Sequence, residues 1–114
     1  MARLRKFALS MPGAWEDFPW GDTASKVGKK VFAFHPTGRD GVGVTVKLPQ
    51  SADIALSLPF ATPTGYGLGK SGWVSMKVDP DNAPPPEMFE AWIEESYRAV
   101  APKSLVKELD ARRA

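Results

Sequence analysis

The residues best suited to chemistry are lysines that recur near aromatic residues in the middle of the chain. A lysine ammonium can contact a phosphate, and an aromatic ring can stack on a base or pack in a groove. Residues 26–78 carry seven lysines or arginines and two acids. This pattern predicts a basic, aromatic-bearing surface that suits nucleic acid, although composition by itself favours an ordinary solvated sheet face. The candidate binding residues are Lys26, Lys29, Lys30, Lys47, Tyr66, Lys70, Trp73 and Lys77.

Other chemistry is limited because the 114 residues include no cysteine and one histidine, His35. These counts exclude disulfides, thiol nucleophiles, cysteine-based zinc sites and multi-histidine metal sites within one chain. A Ser-His-Asp triad would need His35, and no G-x-S-x-G motif accompanies it. We therefore expect no enzymatic activity, no cofactor and no metal, with His35 at a strand end or in a loop.

A glycine-rich segment, Gly67 to Gly72, matches the spacing G-x-G-x-x-G. Phosphate-binding motifs of this kind open a helix whose amino terminus faces the phosphate. Here the alternating residues 73–78 predict a strand instead. We interpret the segment as a hairpin loop in which glycines supply positive φ angles.

Acidic residues form two groups that we expect to be solvated. One group surrounds Trp15 and consists of Glu16, Asp17 and Asp22. The other lies in residues 79–95, which carry six acids and no base. On the predicted helix this second group would repel phosphate and orient nucleic acid toward another side. Its helical members are Glu87, Glu90, Glu94 and Glu95.

The hydrophobic pattern predicts one α+β domain over residues 1–114. A short amphipathic helix is followed by a four-strand meander, a short helix, one or two further strands and two helices. The expected helices cover 2–10, 52–58 with Ser51 as its cap, a region after Pro84-Pro85-Pro86, and a region after Pro102. The expected strands lie in 14–20, 24–27, 31–35, 42–48 and 73–78, with a loop over 59–72.

Spacing also predicts which side chains face the core. Alternation places Val42, Val44 and Val46 inward in one strand, and Val74, Met76 and Val78 inward in another. Helical spacing selects Leu4, Phe7, Ala8 and Met11, then Ile54, Ala55 and Leu58, then Phe89, Trp92, Ile93, Ser96, Tyr97 and Val100, then Leu105, Val106 and Leu109. Glu94 can pair with Arg98 four residues later.

The sequence shows no export or membrane segment. The basic amino-terminal segment lacks the apolar run of a signal peptide, and the longest charge-free stretch, 54–69, contains Pro59 and Pro63. We therefore expect a cytoplasmic protein without a membrane partner. We also expect it to be monomeric or weakly associating.

Several motifs, in this order, resemble the MmcQ/YjbR family of small bacterial proteins. The segments are MPGAWEDFPWG, SKVGKKVFAF, VTVKLP, PTGYGLGKSGWVSMKV and FEAWIEESYRAVAPK, which together span nearly the whole chain. The resemblance implies a frataxin-like (CyaY-like) fold, in which helices pack on one face of an antiparallel sheet of five or six strands. It also implies DNA binding by a double-wing motif of two β-hairpins.

Carried onto this chain, one wing is the hairpin around Gly28-Lys29-Lys30. The other leads from Tyr66 through Lys70 to Trp73 and Lys77. Many relatives have polar residues where this chain has Gly67-Leu68-Gly69, which argues against specific base reading there.

Two functions from different classes remain open. The first is binding of double-stranded DNA through the two basic hairpins and the open sheet face. The second is a non-catalytic module that binds a protein or a small molecule on the concave sheet face, with Trp20, Tyr66 and Trp73 as anchors. A frataxin-like iron role is a third option, which would require the acidic helix face to be an exposed ridge. The exposure of the aromatic rings and the lysines near them discriminates between the first two.

Overall fold

The computed structural model describes residues 2–17, 23–35, 42–59, 61–64, 72–78 and 85–113. The helices are α1 (Ala2–Leu9), α2 (Ala52–Leu56), α3 (Pro86–Val100) and α4 (Lys103–Arg113). The strands are β1 (Ala14–Asp17), β2 (Thr23–Val27), β3 (Lys30–His35), β4 (Val42–Lys47), β5 (Ala61–Pro63) and β6 (Trp73–Val78). In the described part of the chain, no helix has the length and apolar character needed to span a membrane.

The strands form one antiparallel sheet in the order β1-β2-β3-β4-β6-β5, with the helices packed against it. The first four strands are the predicted meander, and β6 continues the sheet on the far side of β4. The predicted α+β class is thus confirmed.

The sequence allowed one or two strands after α2 but did not place β5, because this strand lies inside the segment 59–72 whose glycines and prolines indicate a loop. It is three residues long and pairs with β6 at Ala61↔Met76 and Pro63↔Val74. Proline lacks an amide hydrogen and is tolerated in an edge strand. A strand this short has too few residues to show an alternating pattern.

Alternate residues of β4 and β6 form the sheet side of the core, as predicted. Their apolar side chains are fully buried or nearly so against α1 and α3. The buried positions are Val44, Val46, Val74 and Met76. The side chains of Val42 and Val78 lie outside the described part of the structure.

The helix α3 supplies the largest apolar stripe. Phe89, Ile93 and Tyr97 are buried at helical spacing. The Tyr97 ring meets the Phe32 ring edge to face, with centroids 5.2 Å apart. Its hydroxyl donates a hydrogen bond to the Pro12 carbonyl at 2.6 Å, which joins α3 to the turn before β1.

The short helix α2 differs from its prediction in two ways. Ile54 is 68% exposed rather than inward, because a helix of five residues has one buried position, taken by Ala55. Ser51 makes no side-chain cap. Its hydroxyl instead donates a hydrogen bond to the carboxylate of Glu95 on α3 at 2.6 Å. Hydrogen bonds to an ionised acceptor are stronger than those between neutral groups.

Candidate nucleic-acid interface

The outer face of the sheet consists of strand residues on the side opposite the core. Their described side chains are half-buried or exposed, except that of Ala24, which is buried between Asp17 and Phe34. Asp17 is the one acid on this face among the described residues. The outer-face residues that bear on binding are Trp15, Asp17, Lys26, Val31, Phe34, Thr45, Lys47, Thr62, Trp73, Ser75 and Lys77.

A bulge in the β2–β3 pair decides which β3 residues reach the outer face. The register shifts between Ser25 and Lys26, so that Ser25 pairs with Ala33 whereas Lys26 pairs with Val31. The extra residue is Phe32, which turns into the core with Ala33. The rings of Phe32 and Phe34 therefore lie on opposite sides of the sheet.

Two hairpins lie at the same end of the strands, which we call the hairpin end. The β2–β3 hairpin closes at Val27↔Lys30, and β5 ends opposite Val74 of β6. Three inter-strand spacings separate the middles of the two hairpins, a distance of about 14 Å. The two strand pairs that carry the predicted wings thus present their turns at the same end of the sheet.

Lys29 and Lys30 lie at the tip of the β2–β3 hairpin. Gly28 starts this turn with a φ of 60°, a left-handed conformation that costs glycine no steric strain. Both lysines are exposed, and neither pairs with an acid in the described residues. Their charges are therefore available to an anionic ligand.

Lys26 is placed differently from the other candidate lysines that the structure describes. Its Nζ lies 2.9 Å from an Asp17 carboxylate oxygen and 5.1 Å from the centre of the Trp15 ring. The Trp15 indole is itself held by a 3.0 Å hydrogen bond to the Gly28 carbonyl. Because the Lys26 charge is already compensated, this residue supports the first hairpin more than it offers a free cation.

Lys47 and Trp73 are cross-strand neighbours at the hairpin end. The Trp73 ring also meets Phe34, with centroids 5.9 Å apart and planes at 55°. These rings border a pocket of about 380 Å³. The lining residues are Lys30, Val31, Phe34, Lys47, Trp73, Ala99 and Val100.

Ser96 of α3 lies between strands β3 and β4 beneath this pocket. The described strands β3 and β4 pair at Ala33↔Val46 and Phe34↔Thr45. Beyond these pairs, the Ser96 hydroxyl accepts a hydrogen bond from the Lys47 amide at 2.8 Å and donates one to the Phe32 carbonyl at 2.5 Å. A helix side chain thus bridges the two strands where a direct hydrogen bond would otherwise join them.

Of the remaining candidates, the structure describes Lys77, which lies away from the pocket. Lys77 is exposed on β6 but lies four residues from Trp73, about 13 Å along the strand and toward the opposite end. Tyr66 and Lys70 lie outside the described residues, as does Trp20. The structure therefore groups Lys30, Lys47 and Trp73 at the pocket, with Lys29 next to Lys30 at the hairpin tip.

Sequence reasoning missed Phe34 and Ser96 as site residues. Phe34 stands in the apolar run VFAFH, which gives no sign of the bulge that turns this ring outward. Ser96 was assigned to the apolar stripe of α3, and it is buried there. A serine inside such a stripe was the available signal, since a buried hydroxyl needs a partner.

The acidic residues are less solvated than expected. Glu16 pairs with Arg5 of α1 at 2.9 Å, and Glu94 makes the predicted contact with Arg98 at 3.0 Å. Glu95 accepts hydrogen bonds from the amides of Gln50 and Ser51 at 3.1 and 3.0 Å. Glu16 thus joins β1 to α1 and Glu95 joins α3 to the turn before α2, whereas the Glu94 pair lies within α3. In the part of the chain that is described, no three His, Asp or Glu residues form a group that could hold a metal ion.

His35 is the last residue of β3, so the expected strand-end position is confirmed. Its ring is 2% exposed, and Nε2 lies 2.9 Å from the Ser25 hydroxyl. Nδ1 has no partner among the described residues. Burial, aided by the positive charge of Arg5, lowers the pKa of His35 to about 4. The imidazole is therefore neutral at pH 7, on the core side of the sheet.

Comparison with known proteins agrees with the motif order. The family model described as YjbR matches residues 9–99. No curated protein matches the chain. The match spans the helix α1 terminus, all six strands and nearly all of α3. The chain belongs to the YjbR family.

Proposed function

We propose that this protein binds double-stranded DNA, without catalysing a reaction, through the hairpin end and the outer face of its sheet. The observation that carries the proposal is that Lys30 and Lys47 line one pocket with Trp73, with Lys29 beside Lys30 at the hairpin tip. These lysines come from a hairpin tip and a separate strand, and none of them pairs with a described acid. Lysines without a described acidic partner, two of them exposed, beside a half-buried tryptophan on an open face favour nucleic acid over an enclosed ligand site.

The hairpin spacing supports duplex rather than a flat anionic surface. The hairpin middles are about 14 Å apart, close to the ~12 Å width of the DNA major groove. Lysines near the two hairpins would then contact phosphates on both sides of a groove. Such contacts position a protein on DNA without reading its sequence. We expect binding that depends strongly on salt and weakly on sequence.

The test is titration of a labelled 20-base-pair duplex from 50 to 200 mM salt. Each lost phosphate contact reduces the slope of log K against log salt by about 0.9. We expect the double variant Lys29→Ala, Lys30→Ala to reduce that slope by about 2. The matched control is Lys6→Ala, Lys107→Ala, which removes the same charge from two exposed helix positions. Equal slopes in the two double variants would rule the proposal out.

A second candidate is supported by the pocket itself. A volume of about 380 Å³, bordered by Phe34 and Trp73, lies at the small end of the range for small-molecule sites. A protein that used this pocket for a free ligand would keep its affinity when Lys29, at the hairpin tip, becomes alanine. Loss of ligand affinity only on changing Trp73, together with no duplex binding, would favour this second function.

A further inference from the structure

The pocket at the hairpin end has walls of unlike chemistry. One side is aromatic, because Phe34 and Trp73 meet there at 55°. The other side carries the lysines, Lys30 and Lys47. Ala99 and Val100 of α3 complete the lining, so the pocket extends from the outer face toward the helix layer.

The Ser96 bridge explains why a pocket exists at this point. In a continuous ladder, the β3–β4 hydrogen bonds would bring the strands to about 4.8 Å, leaving no room between them. The Ser96 hydroxyl stands between the Lys47 amide and the Phe32 carbonyl instead. The small side chain of Ala99, three residues later, leaves the space above the helix unfilled.

Position and chemistry together select the occupant. The pocket lies between the two hairpins, where the proposed duplex would be held. An aromatic wall stacks on a flat ring, and a nearby ammonium pairs with a phosphate. A nucleotide has both groups in one unit. Its base is accessible to a protein pocket only when it leaves the helical stack.

Resting on the proposed DNA binding, we infer that the pocket takes one unstacked base of the bound DNA. The base stacks on Trp73 and Phe34, and the adjoining phosphate lies near Lys30 and Lys47. The protein thereby prefers duplex that contains an unpaired nucleotide over fully paired duplex.

The experiment compares three duplexes of one sequence. One is fully paired, one carries a single extrahelical thymine, and one carries an abasic residue in place of that thymine. Stacking on an aromatic side chain predicts about 5- to 100-fold tighter binding of the thymine duplex than of the paired duplex. The abasic duplex separates stacking from bending, because it is as easily bent and has no base. It should bind like the paired duplex.

Two variants locate the effect. Trp73→Ala should remove the preference for the thymine duplex, and Trp73→Phe should restore most of it. Ala99→Trp should fill the pocket and abolish the preference without removing any sheet residue, since Ala99 is exposed on α3. Ala91→Trp is the matched control, because it places the same ring at another exposed position of that helix.

The outcomes separate this inference from the proposed function. Lys29→Ala should weaken binding of all three duplexes by a similar factor. If the paired and thymine duplexes bind equally, or if the abasic duplex shares the preference, the base-binding pocket is wrong while DNA binding stands. If this protein binds none of the three duplexes better than an equally basic control protein does, both the base-binding pocket and the proposed DNA binding are wrong.

Discussion

The two faces of the sheet treat polar groups in opposite ways. On the core side, the hydroxyl of Ser96 bridges two strands and the carboxylate of Glu95 holds the turn before α2. On the outer face, Lys47 and Lys77 have no described acidic partner. These core-side groups are bound by internal contacts, since a buried unpartnered group is costly. Lys47 and Lys77 remain available to a ligand, unlike Lys26, which is paired with Asp17 on the same outer face.

The largest effect is expected from two phenylalanines of β3 that lie on opposite faces of the sheet. Phe32→Ala should lower the free energy of unfolding by about 3–5 kcal/mol, because the ring is fully buried against Tyr97. Phe34→Ala should lower it by about 1 kcal/mol, since this ring is half-buried on the outer face. Urea unfolding measures both. Leucine at each position gives a milder pair if the first variant does not fold, and equal losses would contradict the assignment of faces.

A pH test examines the buried histidine on the core side. The pKa of His35 is about 4 in the folded protein, below its ordinary 6.5, so protonation favours the unfolded chain. Its contribution to stability is complete above pH 6.5 and is lost as the pH falls toward 4. We expect a loss of about 2 kcal/mol between pH 7.5 and 5.

The matched variant is His35→Gln, which should lack that part of the pH dependence. Unfolding curves of both proteins at several pH values isolate the histidine from the carboxylates. An imidazole that titrates near 6.5 by NMR would show that His35 is not buried as described.

The Ser96 bridge should have an intermediate effect. Ser96→Ala leaves the Lys47 amide and the Phe32 carbonyl without their partner, at a cost of about 1–3 kcal/mol. Ser104→Ala, at an exposed position of α4, is the control and should change little. Thermal unfolding compares the two. An unchanged midpoint for Ser96→Ala would mean that the strands close without the bridge.

The smallest effects belong to outer-face lysines. Lys77→Ala should change the free energy of unfolding by less than about 0.5 kcal/mol, because the side chain is exposed and makes no described ion pair. Lys26→Ala should cost up to about 1 kcal/mol through its pair with Asp17. A large destabilisation by Lys77→Ala would show that the outer face also serves the fold.

Prediction from sequence succeeded where the burial of residues follows a regular spacing along the chain. The alternation around Val44 and Val74, and the helical spacing around Ile93, correctly predicted buried faces. It failed where a contact joins distant segments. Glu95 lies 44 residues from Ser51, so nothing near Ser51 indicates that its hydroxyl will bond to α3 rather than cap α2. Ile54 has helical spacing, but the helix is too short to bury it.

The α+β class, the order of most elements, the family and the concentration of lysines in the middle of the chain can all be predicted from the amino-acid sequence. These properties follow from local periodicity, turn residues and motif order. The three-dimensional fold determines which lysines share a site. In the fold, Asp17 pairs with Lys26, and Lys77 lies away from Trp73. Ser96 contacts Phe32, which is 64 positions away in the sequence. Strand register, the bulge and helix packing set these distances, and no local pattern encodes them.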